Sequence, residues 1–450
     1  MGRDDPFRAL PYVQRVKYGI AILGGAADFP IAELGGRTPL QAARTPAMDA
    51  VAQLGRLGTV RTTPDMQIAG SDMSAMCLLG YDPAVYYTGR APLEAASFNV
   101  PMTVRDWAFR ADLVSVGEEG TDTDGQMLDP SAAALTEAEA TALTADLTAH
   151  WRSREPELMV ALAVHRGGSN RNILIDSSGR AYNGVTTVPP HVLPRRPWDL
   201  CLPEGEGHAK ASADVLCRLM ELSAEFLPSH PVNAARKATG QHAANMCWIW
   251  GQGTRPAMPS FASRFGVNGA MATPEPSLSG IAALIGWARL NARPAAGASQ
   301  ADHASQGRAA CEALDRFDVV CCHMDTPNQA ALRGDWRAKV AAIEALDTHV
   351  AAPMLQKLKL LGEAGKERVA DGWRMLILPD HATPCSSRKP DATAVPFAMA
   401  GSYVRAHRTG SFDEAHAGAA DLHIRDGHEL MEFFLSGGRA AARGRIRGAR

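Results

Sequence analysis

The sequence predicts an α/β protein, with a central, mostly parallel sheet flanked by helices and a second, α+β domain inserted in its middle. Three observations predict it. Short, almost uninterrupted apolar runs at Lys17–Leu23, Phe317–His323 and Met375–Leu378 have the length and continuity of strands buried on both faces. Helical apolar periodicity separates such runs near both ends of the chain. The stretch between them has a different grammar, and 450 residues exceed what one core of roughly 250–300 residues accommodates.

The first strand ends at Gly24-Gly25, the form of a strand running into a tight loop. Thr45-Pro46 then opens a helix, with Thr as N-cap, Met48, Val51 and Leu54 on one stripe, and Gly55 as its stop. Gly58–Thr62 reads as the next strand, giving a β-α-β start. In the last third, Asp335 begins a long amphipathic helix through Val340, Ile343, Leu346, Val350 and Leu355. The run Met375–Leu378 leads directly into Pro379-Asp380-His381, and polar residues just past strand ends are where an open α/β sheet builds its site. The middle carries an acidic-alanine helix over Thr136–His150, a strand at Asn172–Ile175, and turns at Pro189-Pro190-His191 and Pro194–Pro197. The expected division is residues 1–115 and 240–450 for the core and 116–239 for the insert. Five arginines among Gly and Ala over 437–450 read as a disordered tail.

With 46 Lys+Arg against 48 Asp+Glu, no global basic field recruits nucleic acid or an anionic membrane. Eight cysteines, none in a C-x-x-C pair, make no disulfide framework and read as reduced thiols. The stretch Met1–Pro6 lacks the basic start and apolar run of a signal peptide, and nowhere do about 18 apolar residues run unbroken. The expectation is a cytoplasmic protein that binds no nucleic acid and no membrane.

Gly70-Ser71-Asp72 precedes Met73, Met76, Leu78 and Leu79, which places a serine in the first helical turn. Unpaired N–H groups and the positive helix end there lower the cost of an alkoxide or an attached phosphate. The same three residues also make an ordinary helix cap. Asp380 and His381, at a strand end, supply an oxygen and a nitrogen donor that suit Zn or Mn, or serve as a loop charge and imidazole bonded to backbone. In Cys321-Cys322-His323-Met324-Asp325, alternation lets only Cys321, His323 and Asp325 share a face, and both cysteines read as core. Asp302-His303 reads as a surface loop. Arg90, Arg110 and Arg171 carry the planar fork that suits phosphate or carboxylate, and each alone also fits a structural ion pair.

Taken in order, Gly35–Leu40, Thr45–Asp49, Gly70-Ser71-Asp72, Leu78–Pro83, Tyr86–Ala95, Trp248–Gly253 and Asp380-His381-Ala382-Thr383-Pro384 resemble the archaeal-type, 2,3-bisphosphoglycerate-independent phosphoglycerate mutases of the alkaline phosphatase superfamily. The resemblance spans residues 17–435. It implies an alkaline-phosphatase-like core with an inserted cap, and two divalent metals. It also implies that Ser71 takes a phosphoryl group and returns it to the neighbouring hydroxyl of the glycerate.

The chain departs from that family's pattern at the metal ligands. Gly24 stands where a ligating aspartate is expected, Asn328 and Leu332 replace a second carboxylate and its histidine, Asp325 aligns with a lysine, and a late histidine falls near Pro390. Of the implied set, Ser71, Asp380 and His381 remain. The expectation is therefore at most one weakly held divalent ion (Mn, Mg or Zn), with no metal at all as the equal alternative. The expected function is binding of a small phosphorylated or carboxylated metabolite without the two-metal reaction, as a retooled enzyme or a binding protein. Three alternatives stand beside it. One is an active mutase with ligands relocated to Asp325, His323 or Asp391; another is a homoserine-kinase-like phosphotransferase; the third is a non-catalytic partner of another protein.

Overall fold

A computed structural model describes residues 16–64, 69–118, 120–132, 135–193, 197–290, 300–363, 370–407, 410–438 and 446–447. The chain divides into two compact units, residues 1–87 with 258–450, and residues 88–257. These boundaries lie outside the expected 116 and 239 because Trp107–Val116 and Met246–Thr254 pair with each other along most of their length. Both strands belong to the inserted unit.

Among the described residues the first unit holds a nine-stranded sheet. Its order is Ala288–Leu290, Gly269–Ala272, Val319–Met324, Val16–Leu23, Gly372–Pro379, Val395–Gly401, Arg56–Val60, His423–Ile424 and Ile446–Arg447. Neighbours run parallel except where Val395–Gly401 and Ile446–Arg447 reverse. Every residue of Val16–Leu23, Val319–Met324 and Gly372–Pro379 is buried, which is why these strands read as continuous apolar runs rather than alternating ones. The strand Arg56–Val60 lies three places from Val16–Leu23, so the opening β-α-β does not join neighbours. The antiparallel pair Ile446–Arg447 replaces the expected disorder at those two residues, while 439–445 and 448–450 lie outside the described residues, as do Met1–Pro6.

Helices cover the sheet. Gly19 lets Leu358 approach so closely that a Cβ there would lie 2.6 Å from its Cδ1. Helix Pro46–Leu54 buries Met48 and Val51, yet Thr45 makes no capping bond. Asp347 accepts from the Ala47 and Met48 N–H groups instead, at 3.2 and 2.8 Å, from 300 residues away. The long amphipathic stretch is helical over Trp336–Leu346, widens to a π-turn over Asp347–Ala351, and continues to Glu363. Residues Asp302 and His303 lie in helix Gln300–Ala313, and His303 is buried with Nε2 on Thr326 Oγ1 at 2.9 Å, so the surface-loop expectation does not hold.

The second unit is α+β. Antiparallel strands Trp107–Val116, Met127–Asp129, Leu162–Gly168, Arg171–Asp176 and Met246–Thr254 pack against helices Glu137–Arg154 and Lys210–Phe226. Phe109, Leu143, Trp151, Leu216 and Trp248 form its core. Thr136 caps the first helix in a reciprocal capping box with Glu139. A turn of helix at Pro190–Val192 matches the expected turn, and residues 194–196 lie outside the described ones. All eight cysteines are unpaired, and no helix among the described residues is long and apolar enough to cross a membrane.

Candidate functional site

The register of the first unit's sheet builds the site. Leu23 lies beside Met324 on one side and Pro379 on the other, so three parallel strands end level. The next residues of each chain segment, Gly24-Gly25, Asp325 and Asp380-His381, therefore emerge together at the carboxyl edge.

Asp380 is fully buried. Its Oδ1 accepts from the Gly25 and His381 N–H groups at 2.7 and 2.8 Å. Its Oδ2 has no hydrogen-bond partner and lies 3.6 Å from both His323 Nε2 and His381 Nε2. Burial would raise the acid's pKa, but the two imidazoles and the Gly25 N–H hold it well below the usual carboxylate range. Ser71 opens helix Ser71–Leu78, which no side chain caps through Gly70. Asp72 instead engages the Met73 N–H at 2.9 Å and takes a 2.8 Å bond from the Tyr87 hydroxyl. Ser71 Oγ lies 3.0 Å from His381 Nε2. Ser71, Asp380 and His381 thus meet across more than 300 residues of chain.

Two further residues join them. His323 is fully buried, with Nδ1 3.0 Å from Thr273 Oγ1 and Nε2 without a partner. Burial would lower its pKa, but Asp380 raises it above the ordinary value. Asp325 accepts from Gln329 at 2.6 Å through Oδ2, while Oδ1 is buried and unpartnered. Burial, then Glu275, pushes its carboxyl up to about 7. The alternation of the strand already placed these two on one face; that they face Asp380 was not readable from it.

A family profile for 2,3-bisphosphoglycerate-independent phosphoglycerate mutase matches residues 52–233. The mutase of Methanothrix thermoacetophila is 37% identical over 94% of this chain and 100% of its own length. A second, from Methanothermobacter thermautotrophicus, is 36% identical over 93% of this chain and 97% of its own. The chain belongs to the 2,3-bisphosphoglycerate-independent phosphoglycerate mutase family. Among solved structures, a Pyrococcus horikoshii protein superposes with TM-score 0.73 at 25% identity, covering 96% of this chain and 100% of that one. The cofactor-independent phosphoglycerate mutase of Thermoplasma acidophilum shares the fold, with TM-score 0.58 at 22% identity, 94% of this chain and 99% of its own being covered.

The positions at which the resemblance implies metal ligands have definite surroundings. A Cβ on Gly24 would lie 3.0 Å from both the Asp325 Cα and Oδ1, so the Asp325 carboxylate occupies the space into which a side chain at 24 would grow. Asn328 Oδ1 accepts from the Thr383 hydroxyl at 2.8 Å, and Leu332 is 39% exposed. Pro390 is exposed, and Asp391 accepts from the Thr393 N–H at 2.8 Å. Gly24, Asn328, Leu332 and Pro390, where the resemblance implies ligands, carry no anionic group. The unpartnered atoms Asp325 Oδ1, Asp380 Oδ2 and His323 Nε2 have the chemistry of cation donors, because buried acceptors without donors are what a cation satisfies. As placed, no group of three or more His, Cys, Asp or Glu among the described residues is arranged to hold an ion outright.

Lys339 fastens the loops around the site. It is fully buried and donates to Asp28 Oδ2 at 2.8 Å, Thr383 O at 2.8 Å and Ala27 O at 3.1 Å. Sequence periodicity had assigned that helix a packing role only.

The three candidate arginines lie in the second unit. Arg110 is buried, and its Nε, Nη1 and Nη2 are committed to Glu94 and Asp112 at 2.7–3.0 Å. Arg110 is therefore a structural ion pair, the plainer of its two sequence readings. Arg90 shares Glu94 through Nε at 2.8 Å, and Arg171 is half-buried within electrostatic reach of the same carboxylate.

Proposed function

We propose that this chain moves a phosphoryl group between the hydroxyls of a phosphoglycerate through Ser71, as the mutases of its family are named for, using a carboxylate relocated from position 24 to 325. The observation that carries the reading is Asp325 Oδ1, buried and unpartnered, in the space a residue-24 side chain would take. The phosphorus–oxygen bond to Ser71 Oγ forms as the substrate's ester P–O bond breaks, and the proton leaving Ser71 Oγ passes through His381 Nε2 to the released oxygen. The neighbouring hydroxyl then attacks the phosphorus, the bond to Ser71 Oγ breaks, and that hydroxyl's proton returns to Ser71 Oγ by the same route.

His381 Nε2 receives the Ser71 proton in a bond of 3.0 Å. The helix start at Ser71 favours the negative charge that builds on the transferring group. Asp325, Asp380 and His323 would hold one divalent ion, which when bound would lower the hydroxyl's pKa and offset phosphoryl charge.

A second reading, recognition of the same metabolite without turnover, is favoured by Asn328 and Leu332, which give a second ion no anionic ligand. The test is interconversion of 3- and 2-phosphoglycerate with saturating Mn, Mg, Co or Zn, beside mass-spectrometric detection of phosphoserine at residue 71. Turnover that Ser71→Ala abolishes and Asp325→Asn lowers at least about tenfold supports the first reading. Substrate binding without turnover or phosphoserine supports the second and sinks the first.

A further inference from the structure

We propose that Glu275 supplies a further ligand to the cation site of Asp325, Asp380 and His323, so that one ion is held by three carboxylates and an imidazole. The inference rests on the one-ion site of the functional reading above, and it brings in a residue from a neighbouring strand.

The sheet places Glu275 at this site. Gly269–Ala272 pairs in parallel with Val319–Met324, with Ala272 beside Cys322. The next step of that register sets Thr273 beside His323, and Thr273 Oγ1 lies 3.0 Å from His323 Nδ1. The same oxygen accepts from the Glu275 N–H at 3.1 Å. One threonine therefore ties the Glu275 backbone to the imidazole, just past the strand end, at the edge where Asp325 and Asp380 emerge. Glu275 is the N-cap of helix Pro276–Leu284, yet its side chain does not cap that helix. Its carboxylate lies within electrostatic reach of both Asp325 and His323.

Carboxylates gathered in this way repel one another unless a cation lies among them. The independent sign of a ligand is the atoms beside them that have no partner. Asp325 Oδ1, Asp380 Oδ2 and His323 Nε2 belong to residues no more than 6% exposed, and none makes a hydrogen bond. Burying such atoms unpaired costs free energy that a dication recovers. His323 Nε2 and Asp380 Oδ2 are 3.6 Å apart. Two donors each about 2.1 Å from one ion stand about 3.4 Å apart in a tetrahedral site, so this spacing suits a shared ion. Glu275 is only half-buried, so turning its carboxylate onto that ion costs little repacking. Three carboxylates to one imidazole favour a hard dication such as Mn2+.

The test is a titration of the full-length, metal-stripped protein with Mn2+ alone, read by loss of the free-ion EPR signal. Wild type is expected to bind one ion. Glu275→Gln, of equal size, is expected to weaken binding at least about tenfold, at about 0.05 M and about 0.5 M salt alike, because a direct ligand is not screened as a distant charge is. In chelator the same variant is expected to melt no lower than wild type, since a like charge beside Asp325 has gone; a purely structural role for Glu275 would lower it. Glu312→Gln, an exposed acid outside the site, is expected to bind as wild type does. Unchanged affinity in Glu275→Gln, with the ion lost in Asp325→Asn, would overturn the proposal and leave the functional reading standing. A deficit that vanishes in high salt would also overturn it, since Glu275 would then act only as a distant charge. Wild type that binds no Mn2+ overturns it too, and phosphoserine at residue 71 then decides the functional reading by itself.

Discussion

Replacing Lys339 by methionine removes one charge from a pair whose partners are both buried: Lys339 is fully so and the Asp28 side chain is 1% exposed. The methionine fills most of the volume but leaves Asp28 Oδ2 without its ammonium, and the Ala27 and Thr383 carbonyls without a shared donor. Breaking a buried pair in this way costs about 3–5 kcal/mol, since the orphaned carboxylate keeps its desolvation penalty. Urea unfolding measures the loss. Hydrogen exchange places it, because the Thr383 N–H bonded to Ala27 O and the Cys385 N–H bonded to Asp28 Oδ2 are expected to exchange faster. Asp28→Asn in the Lys339→Met background is expected to recover about 2 kcal/mol, since no unpaired charge then remains. A cost below about 1 kcal/mol for Lys339→Met, or strict additivity of the two changes, would refute the claim that this pair holds the site loops together.

Burial would raise the pKa of Glu94, but Arg110 and then Arg90 bring it from 4.5 to about 2. A depressed carboxylate contributes stability above its unfolded pKa and loses it as pH falls through the folded one. The second unit is therefore expected to lose up to about 3 kcal/mol between pH 4.5 and 2, a slope that Glu94→Gln flattens in acid titrations of urea midpoint. Gly24→Asp puts a Cβ 3.0 Å from Asp325 and is expected to cost about 1–3 kcal/mol in thermal unfolding, with Asp325→Gly in the same chain restoring most of it. Asp347→Ala removes the distant cap of helix Pro46–Leu54 and should lower stability by about 1 kcal/mol in urea, with Thr45→Ala having less effect because Thr45 makes no cap bond.

Much of the architecture is legible in short windows of sequence, because burial on both faces imposes unbroken apolar runs and helix packing imposes a 3.6-residue period. The runs at Lys17–Leu23, Phe317–His323 and Met375–Leu378 predict three central strands, and the structure places them side by side. Ser71 before a helix and Asp380-His381 after a strand were visible for the same reason: chemistry in this class of sheet collects at element ends. The boundaries of the inserted unit were less visible, since nothing local in Trp107–Val116 says which strand it will pair with.

What a window cannot hold is a partner 300 residues away. The proposed use of Asp325 in place of a carboxylate at 24 depends on Leu23 and Met324 lying in register, and only the assembled sheet puts Asp325 in the space beside Gly24. Position by position, the same residues read as ligands lost. Asn328 likewise reads as a weakened ligand until Thr383 and His381 stand beside it, and Arg110 as either a ligand fork or a structural ion pair until Glu94 and Asp112 close on it. Sequence determined which segments are buried and which polar residues end them, because those are properties of each segment's own side chains. Tertiary structure alone decided which polar atoms meet and which buried acceptors go without a donor, because hydrogen bonds and charges act over a few ångströms of space rather than along the chain.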